Sequence, residues 1–335
     1  MKRTSTSTII LLLAIMVVIP QFSGCYRSNV QTSVNQTVRN GMINSSPRII
    51  ADYQPWFGTH DHINVGYSTQ DPAVLKKQIQ KAKDIGIYAF GVDWYGDRRP
   101  FEDRSYALLQ QIAGENNFHV CLMYDETQED NGQATDDALE AFEKAYKMYI
   151  GPSAPAREAY VQYNGRPVIF IFPKRGHTDW SRVRQAVNNW ESPPILIYKD
   201  NPPEQYLNDF DGLYAWVHPG KKGWTADGSD WGKEYLQAFY EKMRTKHPDK
   251  IVVGGIWPGF DDSKASWGLN RHMDRRCGKT LEDTLALAKQ YQGGPNSMPF
   301  LMLATWNDYE EGTTVENGVA NCNARQQTQA NASSP

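Results

Sequence analysis

"RIIADYQPWFGTHDHINVGYSTQDPAVLKKQIQKAKDIGIYAFGVDWY", residues 48–95, reads as strand, helix, strand, and that order decides the fold. The β-branched and aromatic run "RIIADYQPWF" is a strand. Asp71 followed by Pro72 is an N-cap with proline in the first helical position, and Gly86 closes the same helix about four turns on. Val74, Leu75, Ile79, Ala82 and Ile85 recur at helical spacing, so one stripe packs inward while Lys76, Lys77, Lys81 and Lys83 face water. "YAFGVDWY" then begins the next strand.

The alternation continues along the chain. Strand patterns recur at "HVCLMYDE", "RPVIFIF", "PILIYK", "DGLYAWV", "KIVVGGIWP" and "MPFLMLATW", giving eight in all, and helical patterns such as "RSYALLQQIAGENN", "DWGKEYLQAFYEKMRTKH" and "TLEDTLALAKQY" separate many of them. Eight βα repeats without a second compositional boundary predict an α/β fold, a (β/α)8 TIM barrel over residues 48–316. A doubly wound sheet would need a Gly-rich first turn, and "PWFGTHDH" is not one. After Glu316 the segment 317–335 is polar and lacks apolar periodicity, so it is expected to be a disordered tail that does not supply the closing helix.

The N-terminus reads as a targeting segment. Lys2 and Arg3 precede "IILLLAIMVVIP", too short to span a bilayer but suited to a signal peptide. It ends in "FSGC", which resembles a bacterial lipobox, with Phe22 in place of the usual Leu. Residues 1–25 are therefore expected to be a lipoprotein signal peptide with Cys25 lipidated, and the polar residues 26–47 a tether. Export to the cell envelope, periplasmic or at the outer-membrane surface, follows. Cys121, Cys277 and Cys322 are widely spaced and odd in number, so no dense disulfide framework or zinc motif is expected; Cys121 reads as a small buried hydrophobe.

A net charge of −3 with no basic stripe argues against nucleic acid. The 10 Trp and 18 Tyr suit sugar faces, because flat rings stack on the C–H patches of a pyranose. In barrels of this kind the reacting groups lie past the C-terminal strand ends. Those ends carry Tyr53 and Trp56; Asp93, Trp94 and Tyr95; Tyr124, Asp125 and Glu126; Trp216 and His218; Trp257; and finally Trp306, Asn307, Tyr309 and Glu316. All are candidate substrate-binding residues. Asp97 and Asp103 read instead as helix N-caps.

"TWNDYEEGTTVE", residues 305–316, places Asp308 and Glu311 three apart after the last strand. On a continuing strand these would face opposite sides. Both can line one pocket only if the backbone turns after the strand, which Gly312 makes easier, and Glu310 would then point away. Cleaving a glycosidic bond needs two carboxyl groups, one to protonate the leaving oxygen and one to act as base or nucleophile.

This stretch resembles the strand-eight signature of glycoside hydrolase families 71 and 99, the α-1,3-glucanases and the endo-α-mannosidases. Trp306, Asn307, Asp308 and Tyr309 are similar to the family-71 form, and Glu311, Gly312 and Thr313 to the family-99 form. "YNGRPVIFIF", "DGLYAW" and "PGFDD" fall in the expected order. The resemblance implies a hydrolase of α-linked oligo- or polysaccharides with Asp308 as base and Glu311 as general acid. No cofactor is expected, and the chain is expected to act as a monomer. In family 99 the base is thought to deprotonate the sugar's own 2-hydroxyl. Asp308 is one methylene shorter than the Glu of that family, and carboxyl pairs roughly 6.5 to 9.5 Å apart favour water attack with inversion. Two other readings exist. A metal-dependent amidohydrolase would use His60, His62, Lys174, His218 and Asp308, but the strand-five His it needs is replaced by Lys199 and Asp200. A surface lipoprotein could also capture glycans without cutting them.

Overall fold

The computed structural model describes residues 47–127, 132–174, 177–293 and 295–319. The leader with Cys25, all but the last residue of the tether, and residues 320–335 of the tail lie outside the described residues. Among the described residues no helix is long and apolar enough to cross a membrane.

Eleven strands are present in the described residues: β1 (Arg48–Tyr53), β2 (Ala89–Trp94), β3 (His119–Asp125), β4 (Gln162–Tyr163), β5 (Arg166–Phe172), β6 (Ile195–Lys199), β7 (Gly212–Tyr214), β8 (Ile251–Ile256), β9 (Phe260–Asp261), β10 (His272–Met273) and β11 (Phe300–Leu303). Eight of them, β1, β2, β3, β5, β6, β7, β8 and β11, pair in parallel around a closed ring. The β3–β5 register, Leu122 opposite Ile169, closes it. The expected (β/α)8 TIM barrel is the observed fold, and the two-stranded β9–β10 arm is an addition to it.

The helices follow their sequence signals. In α1 (Pro72–Asp84), Asp71 accepts the Ala73 N–H at 2.8 Å, Gly86 takes φ +83°, and Leu75, Gln78, Ile79 and Ala82 are buried. Burying Leu75 and Ile79 contributes about 1.5–3 kcal/mol each. The others are α2 (Pro100–Glu115), α3 (Ala134–Ala145), α4 (Trp180–Val187), α5 (Lys233–Lys246) and α6 (Lys279–Gln290). A short 3-10 segment, Glu204–Asp209, stands between β6 and β7 where a helix would complete the repeat, and no helix follows β11 among the described residues.

The expected caps Asp97 and Asp103 are corrected. α2 begins after Arg99 with no side-chain cap; Asp97 lies in a 3-10 turn and pairs with Lys144. Asp103, inside the first turn of α2, accepts the Trp94 indole N–H at 2.9 Å and the Tyr149 hydroxyl at 2.7 Å. Cys121 is buried and free, and Cys277 is disulfide-bonded, a pairing that the spacing of the cysteines did not reveal.

Candidate active site

Past β11 the backbone turns sharply. Asp308 donates its N–H to Thr305 Oγ1 at 2.8 Å, and its own Oδ1 accepts the N–H groups of Glu310 at 2.9 Å and Glu311 at 2.7 Å. The carboxylate thus folds the loop that carries it, as short acidic side chains do in turns. Gly312 takes φ +62° against the backbone of Asp261, where a Cβ would come within 3.1 Å of the carbonyl oxygen. With the chain turned in this way, Asp308 and Glu311 both line one cavity of about 340 Å3. Glu310 points elsewhere, accepting from Ile63 N–H at 3.2 Å and lying 2.8 Å from His62 Nδ1.

The rest of the cavity wall comes from other strand ends. Trp56, Trp216, Phe172 and Trp267 supply apolar surface; Gln54, Asp93 and Asp125 supply polar groups; and Lys174 lies 3.3 Å from Asp125 Oδ2. Buried Asp52 on β1 accepts from Gln54 Nε2 at 2.6 Å beneath this floor. Asp93 Oδ1, Gln54 Oε1 and Trp56 Nε1 are buried without a protein partner, and each such atom costs about 1–3 kcal/mol unless a ligand satisfies it. A polyhydroxylated ligand offers both donors and acceptors.

Burial raises the acids first, and their mutual repulsion adds to it. Asp308 is raised by desolvation and then by the charge of Glu311, and Glu311 is itself raised by desolvation, against the opposing pull of the Trp267 N–H and of Arg271. Asp52 and Asp93 are raised by burial and by neighbouring carboxylates. Lys199 is pushed down to about 8 by its own burial, with its Nζ 3.7 Å over the Phe172 ring. A carboxyl raised in this way keeps its proton to higher pH, so the arrangement allows proton donation from one carboxyl while another acts as base.

The profile of glycosyl hydrolase family 99 matches residues 37–329, most of the chain. The chain belongs to that family. Among curated proteins, a human glycoprotein endo-alpha-1,2-mannosidase-like protein is 22% identical over 272 residues, covering 76% of this chain and 56% of the relative. The mouse counterpart is similar at 22% over 270 residues, with the same two coverages. The chain thus spans little more than half the length of these relatives. Among solved structures, the GH99 endo-alpha-mannosidase from Bacteroides thetaiotaomicron superposes with a TM-score of 0.60 at 18% identity, covering 84% of this chain and 94% of that one. A second structure of that enzyme gives 0.58 at 19%, covering 80% and 87%.

In this family-99 barrel, the residues expected at the site divide into two groups. Trp56, Asp93, Tyr95, Asp125, Trp216, Asp308 and Glu311 reach the cavity. The others do not line it, and each has a packing reason. Tyr53, Trp94, Tyr124, Trp257 and Trp306 are buried in the core. Tyr53 hydrogen-bonds Gln78, and the Trp257 indole bonds the Trp231 carbonyl. Glu126 accepts from Lys174 N–H at 2.8 Å and Thr178 N–H at 3.2 Å, bracing the loop after β5. Asn307 clamps both backbone groups of Gln54, and Glu316 accepts from Tyr67, Tyr309 and Gln78, each at 2.9 Å. His218 turns to the Pro219 carbonyl and packs on Tyr235. Two of the three imidazoles that the amidohydrolase reading needs are thus engaged separately: His62 with Glu310 and His218 with Pro219.

Sequence reasoning passed over Asp52, Gln54, Arg99, Glu102, Phe172 and Trp267. Asp52 and Gln54 stand in the first strand pattern as polar residues among apolar ones, a signal that was available. Trp267 lies on the β9–β10 arm, where no periodicity pointed to it.

Proposed function

We propose that this chain is a glycoside hydrolase that cleaves α-linked mannan or glucan, with Asp308 as base and Glu311 as general acid. The observation that carries the reading is that both carboxyls line one aromatic-walled cavity at the C-terminal ends of the barrel strands. Family membership supports the reaction class. The names of the human relative and of the Bacteroides enzyme favour an α-mannoside over an α-glucoside. With Asp308 shorter than Glu, attack by water with inversion is the expected outcome. A screen of purified protein on α-mannans and α-glucans, with NMR of the first-formed anomer, tests this. Release must vanish in Glu311→Gln, and undiminished release by that variant removes the acid; tight binding without turnover would instead identify a glycan-capture protein.

The "FSGC" segment supports a place of action as well: lipidation at Cys25 and attachment to the cell envelope by a single anchor. Labelling with an alkyne fatty acid should mark the native chain and not Cys25→Ser, and fractionation should move that variant out of the membrane pellet. Equal labelling of both would exclude the anchor.

A further inference from the structure

The arm formed by β9, β10 and the loop between them grips Glu311 at two points. Asp261 donates its backbone N–H to the Glu311 carbonyl at 2.8 Å, and the Trp267 indole N–H donates to Glu311 Oε1 at 2.9 Å. The arm is itself tightly built. Asp262, fully buried, accepts from Leu269 N–H at 3.1 Å, Arg271 N–H at 2.6 Å and Arg271 Nε at 2.7 Å. Gly268 passes so close to this hub that a Cβ there would fall 1.9 Å from the Asp262 carbonyl oxygen.

Such a frame nonetheless leaves Trp267 44% exposed, beside Leu269 at 72%. The Trp267 ring stands nearly perpendicular to Trp56, 83° at 6.2 Å, and to His62, 71° at 5.9 Å, while those two rings stack at 4.6 Å. Together they make an apolar corner with one open face.

We propose that Trp267 is the platform for the leaving-group sugar and at the same time the residue that orients Glu311. The inference rests on the reading of Glu311 as the acid. A general acid must sit against the glycosidic oxygen, and that oxygen departs with the leaving sugar. A ring tied to the acid by one hydrogen bond therefore borders that sugar, and its open face suits the C–H patches of a pyranose. With Oε1 committed to the indole, Oε2 is the oxygen that carries the proton.

Two substitutions separate these roles: Trp267→Phe keeps the flat face and removes the N–H, and Trp267→Ala removes both. An N–H donated to a carboxylate favours its charged form, so losing it moves the titration upward. The charges that face Glu311 stay the same in both variants: Asp308 on its own loop, Arg271 and Asp262 on the arm, Lys174 beyond β5 and Asp93 at the end of β2. Asp52 on β1 and Lys199 on β6 act from farther off, and Asp125 and His62 share the cavity.

The full chain with 13C-labelled Glu carboxyls, in which Glu311 is assigned by its loss in Glu311→Gln, should titrate about half a pH unit or more higher in Trp267→Phe. The alkaline limb of kcat/KM should move the same way. Calorimetry with α-1,2-linked mannobiose and α-1,3-linked glucobiose on an Asp308→Asn background should show at least one disaccharide bound. That affinity should stay within about threefold in Trp267→Phe and fall about tenfold or more in Trp267→Ala. An unmoved Glu311 titration in Trp267→Phe, no disaccharide bound, or full binding by Trp267→Ala would overturn the proposal. A chain that cleaves no α-mannan or α-glucan but still shows the titration shift and the Ala-sensitive binding would overturn the hydrolase reading and leave Trp267 as the sugar platform.

Discussion

Asp308 and Glu316 are eight positions apart on one loop and differ in what holds them. Glu316 is surrounded by donors that stabilise it, whereas Asp308 is buried against another carboxyl that repels it. Asp308→Asn keeps an oxygen for the two backbone N–H groups while removing the repulsion. It should lower turnover about a thousandfold and leave the urea midpoint at neutral pH unchanged or higher. Glu316→Gln should do the reverse: cleavage persists, while the unfolding free energy falls by about 1–3 kcal/mol because the half-buried Tyr67 and Tyr309 hydroxyls and the buried Gln78 amide no longer share two carboxylate oxygens. Equal effects of the two substitutions on turnover would contradict this division. The sequence placed both acids at the right loop, because acids after an apolar run mark a strand end. It expected Asp308 and Glu311 to share a pocket with Glu310 turned away, which is the arrangement seen, but it also put Glu316 at the site, because the partners that hold Glu316 aside, Gln78 and Tyr67, lie far away in the chain.

Elements with a period were legible, and those without one were not. All eight barrel strands and α1 follow from apolar runs, from Asp71 and Pro72 as an entry signal and from Gly86 as an exit. The β9–β10 arm has no such period; its form comes from one buried carboxylate taking three donors and from a glycine pressed against a carbonyl. That construction makes Gly268→Ala a local test. The added methyl forces the loop to shift, and a misplacement of about 1 Å near the chemistry can cost about a hundredfold. The expected result is a kcat/KM lower by about ten- to a hundredfold, with faster amide exchange over 262–271 and a thermal midpoint close to the parent, since the arm stands outside the barrel. Unchanged kinetics would show that the arm does not govern the acid.

At the scale of the whole molecule, the barrel rim concentrates acids whose charged forms burial disfavours, and the stability of the fold should record it. Asp52, Asp93 and Asp308 all titrate well above the ordinary 3.8 in the folded chain. A group raised in this way binds its proton more tightly when folded than when unfolded. Its contribution is therefore complete below the unfolded value and is lost as pH rises through the folded one. Asp211 acts in the opposite sense: despite its burial, Arg184 and the Leu196 N–H hold it below 3.8, so its contribution is present at higher pH and lost on acidification through that lower value. Lys199, at about 8, is charged in both states at lower pH and adds no slope there. The sum makes the melting temperature decline as pH rises above the ordinary carboxylate value of 3.8, until these acids have ionised in the folded chain. Each proton released on that limb contributes about 1.4 kcal/mol per pH unit. Replacing Asp52 by Asn, which retains an oxygen for Gln54, should flatten the decline and raise the melting temperature at the alkaline end. A melting temperature that climbs steadily as pH rises above the ordinary carboxylate value, or an Asp52→Asn profile superimposable on the parent, would show that the rim acids are ionised without cost and that burial does not set their titration.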